Sequence, residues 1–200
     1  MKKFLTGVVA VATLFLISCE SKTKLADDIA GTWSGTPERL DSTDDETITS
    51  VETISFIKDQ SEKPAGELII QSMISVTGAV QPDSMLVQPY ALSEAAVATA
   101  QGSWTVVDDD EISISIDPQS VKVSIDPDAV SYNDNVFTDA QKAMLDSIRP
   151  SVAADLQSKI TKYLTDRFVS VNHLDDVKVK GNLLKFEIGR KHFVLSKQGD

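Results

Sequence analysis

The sequence predicts a mostly β protein: an antiparallel up-and-down meander closing into a barrel, with one long kinked amphipathic helix inserted before the last three strands. Three observations carry this reading. Apolar and polar residues alternate in several stretches, most cleanly where Ile112, Ile114 and Ile116 are separated by Ser113 and Ser115. A period of two places one face in a core and the other in water. Turn residues punctuate these stretches at short intervals, which suits hairpins better than crossovers. Over about residues 138–169 the period changes to three and four, the mark of an amphipathic helix.

At the start of the chain, Lys2 and Lys3 precede an apolar run from Phe4 to Ile17. The run suits a signal-peptide core and is too short for a membrane-spanning helix of about 20 residues. It ends in Leu16-Ile17-Ser18-Cys19, which resembles the lipobox of bacterial lipoproteins. That resemblance implies cleavage before Cys19, diacylglyceryl alkylation of its thiol and acylation of the new amine. Residues 1–18 are then a cleaved signal peptide, residues 19–28 a lipidated polar tether, and residues 29–200 a single folded domain. Glu20 matches neither an inner-membrane retention residue nor a dense acidic export tag, so the expected location is the outer membrane. Cys19 is the only cysteine, so lipidation excludes disulfides, thiolate metal sites and cysteine nucleophiles.

Removal of residues 1–18 leaves 182 of the 200 residues, enough for one domain with a sizeable core. Loss of Lys2 and Lys3 shifts the net charge from −11 to −13. Nucleic acid and anionic headgroups repel such a chain, so membrane attachment must come from acyl chains.

Ile29 to Pro37 contains Gly31-Thr32-Trp33 at a strand start. Glu38 to Glu46 is polar and aperiodic and reads as a loop. Thr47 to Lys58 has strand composition but imperfect alternation, which a bulge or a strand break near Glu52 would explain. Pro64 lies in a turn, and Gly66 to Gly78 is a clearer strand, with Leu68, Ile70, Ile74 and Val76 sharing one parity around Ser72. After a connection over Ala79 to Pro89, Ala91 to Ala100 leads as a strand into Gly102-Ser103-Trp104. Gly102 to Ile125 then reads as a three-strand antiparallel meander with turns at Asp108–Glu111 and Asp117–Ser120. Asp126 to Asn135 is a polar loop. In the helical stretch, Thr138 is the N-cap, and Pro150 predicts a kink or two helices meeting. The tail returns to strands, with tight turns at Gly181-Asn182 and Gly189-Arg190.

Gly31-Thr32-Trp33 resembles the G-x-W motif that opens the first strand of lipocalins and related calycin barrels. The stretch from Gly102 through Asp117 resembles the middle of small lipocalin-like lipoproteins of Bacteroidetes-type bacteria. The resemblance covers roughly Ile29 to Gln198 as a pattern. It implies that Trp33 closes one barrel end beside Gly31, with Arg190 or Lys197 packed over it by cation–π contact. It also implies a barrel that sequesters a small apolar or amphipathic ligand. The helix departs from the calycin order, preceding the final strands rather than following them, and suggests a lid.

The expected inward set is Leu68, Ile70, Ile74, Val76, Trp104, Ile112, Ile114, Ile116, Leu184, Phe186 and Ile188. Of these, Leu68, Ile70, Ile74, Trp104, Ile112, Ile114, Phe186 and Ile188 are the candidate pocket residues. No G-x-S-x-G elbow is present. His173 near Asp175 and Asp176 is the only pattern resembling a base with its orienter, and an ordinary connection explains it. The acidic loops lack the spacing and central glycine of an EF-hand. The expectation is a non-enzymatic protein without cofactor or metal, anchored by acyl chains and binding a small apolar ligand. The alternative is a filled barrel that docks another envelope protein.

Overall fold

A computed structural model describes residues 20–42, 46–60, 63–80, 90–132 and 137–199. The signal segment, Cys19 and the connection at 81–89 lie outside the described residues. The chain forms a helix α1 over residues 20–29, then strands β1 (Gly31–Ser34), β2 (Glu38–Ser42), β3 (Glu46–Lys58), β4 (Ala65–Val80), β5 (Tyr90–Asp108), β6 (Glu111–Ile116), β7 (Lys122–Ile125) and β8 (Ser131–Tyr132). Helix α2 (Asp139–Ser170) follows, and β9 (His173–Lys180), β10 (Leu183–Ile188) and β11 (Lys191–Lys197) end the fold.

Eight strands close an antiparallel barrel in the order β1-β3-β4-β5-β6-β9-β10-β11, with β11 pairing back to β1. Closure removes the exposed strand edges that a flat sheet would present. Three strands are longer than the barrel needs. Ile54 of β3 pairs with Trp33 of β1, whereas Ser50 of the same strand pairs with Glu38 of β2. Gly102 to Asp108 of β5 pairs with β6, whereas Thr99 to Ala96 pairs with β7, and Ser93 and Leu92 pair with β8. The barrel therefore continues upward into an open sheet. Its inner residues Ser72, Ile74, Val76, Ala96, Ala98, Val123 and Ile125 are buried, while Met73 and Val97 on the outer face are exposed. Helix α2 supplies the cover, burying Leu145, Ala153, Leu156, Ile160, Leu164 and Phe168 in the same core.

The structure corrects several expectations. The supposed polar tether is helical over residues 20–29 and buries Leu25, Ala26 and Ile29 against the barrel floor. Three apolar positions spaced by one and three residues suffice for that docking, and the charged residues between them hid it. Glu38–Ser42, expected as a loop, is a strand because the free edge of β3 accepts it. No bulge interrupts β3, which pairs with β4 in unbroken register from Glu46 to Lys58. Its alternation looks imperfect because two inward residues, Ser50 and Glu52, are polar. The three-strand meander is not one: β6 and β7 both pair with β5, at successive levels. Part of the expected polar loop after Asp126 is a 3-10 turn followed by β8, and Asp126 caps that turn through Asp128 N–H at 3.0 Å.

Helix α2 is a single helix running through Pro150. Its apolar stripe is buried on both sides of the proline, at Leu145 and Ala153, and that packing outweighs an interior-proline cost of about 3 kcal/mol. Thr138 caps it in a reciprocal box with Gln141, whose side-chain oxygen accepts from Thr138 N–H at 2.9 Å.

Gly102 shows how tightly β5 and β6 meet. A Cβ there would fall 2.2 Å from the Ser115 carbonyl oxygen and 2.9 Å from Ile116 Cα. Backbone atoms cannot rotate aside, so Gly102→Ala is expected to cost about 2 kcal/mol by overpacking. Urea unfolding measures it, and an unchanged midpoint would show that the strands part freely.

Candidate functional site

The barrel floor is packed shut. Trp33 is fully buried and its indole N–H donates to the Ile29 carbonyl at 2.7 Å, tying β1 to α1. Lys197 Nζ stands 5.1 Å from the Trp33 ring centroid, within cation–π range. Gly31 has φ +126°, and a Cβ there would lie 3.1 Å from Lys197 Cε. A side chain would thus meet both backbone strain and the lysine stem. Trp104, Phe56 and Ile112 complete the floor; Trp104 packs edge-on to Phe56 at 5.9 Å and its indole N–H donates to Glu67 O at 2.9 Å. Arg190 lies far from Trp33, exposed in the β10–β11 turn at the opposite end. That hairpin has two ends, and only the end carrying Lys197 reaches β1.

Above the floor the barrel is hollow. A cavity of about 220 Å³ lies beneath the last turn of α2. Among the expected pocket residues, Leu68, Ile70, Ile114, Phe186 and Ile188 line it. Trp104 and Ile112 do not, being committed to the floor, and Ile74 is buried higher up in the open sheet. The lining also includes Ile54, Ile116, Leu174, Phe193 and Leu195, with Phe168 and Val171 as a roof. Phe186 and Phe193 stack across β10 and β11 with centroids 5.3 Å apart, giving one wall a flat aromatic surface.

The rim is polar, and sequence reasoning missed it. Arg167 Nη2 donates to Glu38 Oε2 at 2.9 Å, joining α2 to β2. Arg167 Nη1 lies 3.0 Å from Glu52 Oε1 on β3, an ion pair outside hydrogen-bond alignment. Burial pushes the Glu52 carboxyl above its ordinary range; Arg167 pulls it back in part, and the neighbouring Glu38 carboxylate raises it further. These groups also border a groove of about 370 Å³ between the β1–β2 connection, β3 and β11, lined by Gly35, Ser50 and Lys191 among others. Ser50 is 2% exposed and its hydroxyl has no hydrogen-bond partner. The signal was present in the sequence as polar residues at the inward parity of β3, between Ile48 and Ile54, and as Arg167 beside Phe168.

His173 does not meet Asp175 or Asp176. Its Nδ1 lies 2.8 Å from Glu111 Oε1, while Asp176 pairs with Lys178 at 3.3 Å. Asp176 sits at φ 51° where β9 carries one extra residue against β10, and that irregularity turns it away. Among the described residues no three His, Asp or Glu side chains gather as a metal site would require.

Fold and site together define a closed eight-stranded barrel with a packed floor, an apolar interior and a charged rim under a helix. Such a barrel is consistent with binding a small ligand. No protein-family model matches the chain, and no curated protein sequence matches it.

Proposed function

We propose that this is a lipid-anchored envelope protein that binds a small apolar or amphipathic molecule inside a lipocalin-like barrel. Anchoring rests on the lipobox ending at Cys19, with the outer membrane as its location. Binding rests on one observation: an apolar cavity that opens beside half-buried charged groups, the combination that holds a tail and orients a head. At about 220 Å³ the cavity is below the usual range of about 300–1,000 Å³ for small-molecule sites, so the ligand is small or extends into the rim groove. Desolvation by the barrel supplies the affinity, and α2 governs access, since its last turn roofs the cavity.

The test is native mass spectrometry on a soluble form beginning at Glu20, which keeps the described residues 20–29 of α1 and omits Cys19. The expected result is a reproducible added mass that delipidation removes. A clean apo mass, with no uptake of apolar probes afterwards, would end the carrier reading. It would favour the second one, a protein-docking barrel, for which the paired outer residues Met73 and Val97, 71% and 53% exposed, are the observation.

A further inference from the structure

The rim holds more carboxylate than its half-buried cation can neutralise. Arg167 commits one terminal nitrogen to Glu38 and the other to Glu52. Lys191 adds only a loose contact, 3.8 Å from Glu38 Oε1, on a side chain 76% exposed. Glu52 has no further partner among the described residues. Beside it the Ser50 hydroxyl is buried, borders the groove and is unpaired, although buried polar groups are nearly always satisfied. The carboxylates only accept and the hydroxyl can accept as well as donate, so a donor with positive charge can serve all three.

We infer that the groove takes a protonated amine, so that the ligand is a basic amphiphile: an apolar body in the barrel and an ammonium group among Glu38, Ser50 and Glu52. This rests on the ligand-binding reading and names the chemistry of the head. A carboxylate head would be a third negative group around one guanidinium and is disfavoured by its neighbours. A neutral alcohol satisfies Ser50 but leaves the carboxylates as they are. The upward displacement of the Glu52 carboxyl agrees, since it marks a negative group short of counter-charge in a desolvated place.

The experiment compares octylamine, octanol and octanoate, which share a tail and differ in head, by displacement of an apolar dye at pH 7 from the soluble form beginning at Glu20. The expected order is amine, then alcohol, then carboxylate, with the amine about tenfold tighter than the alcohol. Glu52→Gln and Glu38→Gln, singly and together in a double variant, are expected to remove most of that advantage, read as the ratio of octylamine to octanol affinity, with circular dichroism confirming the fold. Equal binding of all three, or preference for octanoate, overturns the amine assignment while leaving the barrel as a carrier. An amine preference surviving the double variant overturns the role of these carboxylates. Failure of all three probes to bind overturns the carrier reading, and the amine assignment falls with it.

Discussion

Trp33→Ala is expected to lower the unfolding free energy by about 4 kcal/mol, the range for emptying a buried tryptophan site. Three losses combine. The ring fills the floor between α1 and the barrel and is fully buried. Its N–H holds the Ile29 carbonyl at 2.7 Å, a group left without that partner once the ring is gone. Lys197 loses the ring face it lies over. A domain of this size is stable by about 5–15 kcal/mol, so the variant keeps little margin. The melting temperature should fall by about 10 °C. Thermal unfolding followed by circular dichroism gives the value; a fall of only a degree or two would mean that the floor repacks around the gap. Trp104→Ala is the comparison, because it empties the same floor without touching α1.

The second large effect concerns Arg167, and it has an unequal twin. Arg167→Met leaves Glu38 and Glu52 facing each other without their guanidinium. The expected loss is about 2 kcal/mol, less than for a fully buried ion pair because solvent screens these half-buried groups in part. Glu52→Gln should behave differently. Arg167 keeps Glu38 at 2.9 Å, so no charge is stranded. Burial has raised the Glu52 carboxyl above 4.5, so the ionised form is less favourable in the folded protein than in the unfolded chain. Above the raised value that cost is fully present, and it fades as pH falls toward 4.5, where the folded protein takes up the proton first. Glu52→Gln is therefore expected to be at least as stable as the natural protein at pH 7. Its advantage should shrink as the pH is lowered through that window. Urea titrations at pH 7 and pH 5 decide the matter, and a variant much weaker at pH 7 would show that the Glu52–Arg167 pair is net stabilising.

Much of the barrel was legible from residues because period-two alternation survives wherever a strand has one wet face. The β6 isoleucines, the β9–β11 hairpins and the cap at Thr138 all read directly. What misled were strands serving two structures. β3 and β5 change partners midway, and no local pattern announces a change of partner. The apolar half of the site was visible for the same reason as the core, since Leu68, Ile70, Ile114, Phe186 and Ile188 keep strand parity. The charged half was not. Ser50 and Glu52 look like lapses in a pattern, and only the tertiary fold brings Arg167, more than a hundred residues later, against them. A polar residue at an inward parity is a signal in its own right, and here it marks the rim.

Under the proposed acylation, the docking of α1 would give the molecule a fixed attitude at a surface. In sequence Cys19 is next to the helical residues 20–29, whose Leu25, Ala26 and Ile29 are held in the floor and whose Lys22 donates to the Val107 carbonyl at 2.7 Å. Under the proposed acylation there is almost no slack between lipid and barrel. The floor then rests toward the bilayer and the rim, at the other end, looks away from it. A cargo would have to come and go by the aqueous side, handed over by something dissolved or by a facing surface, rather than slide up from the lipid beneath.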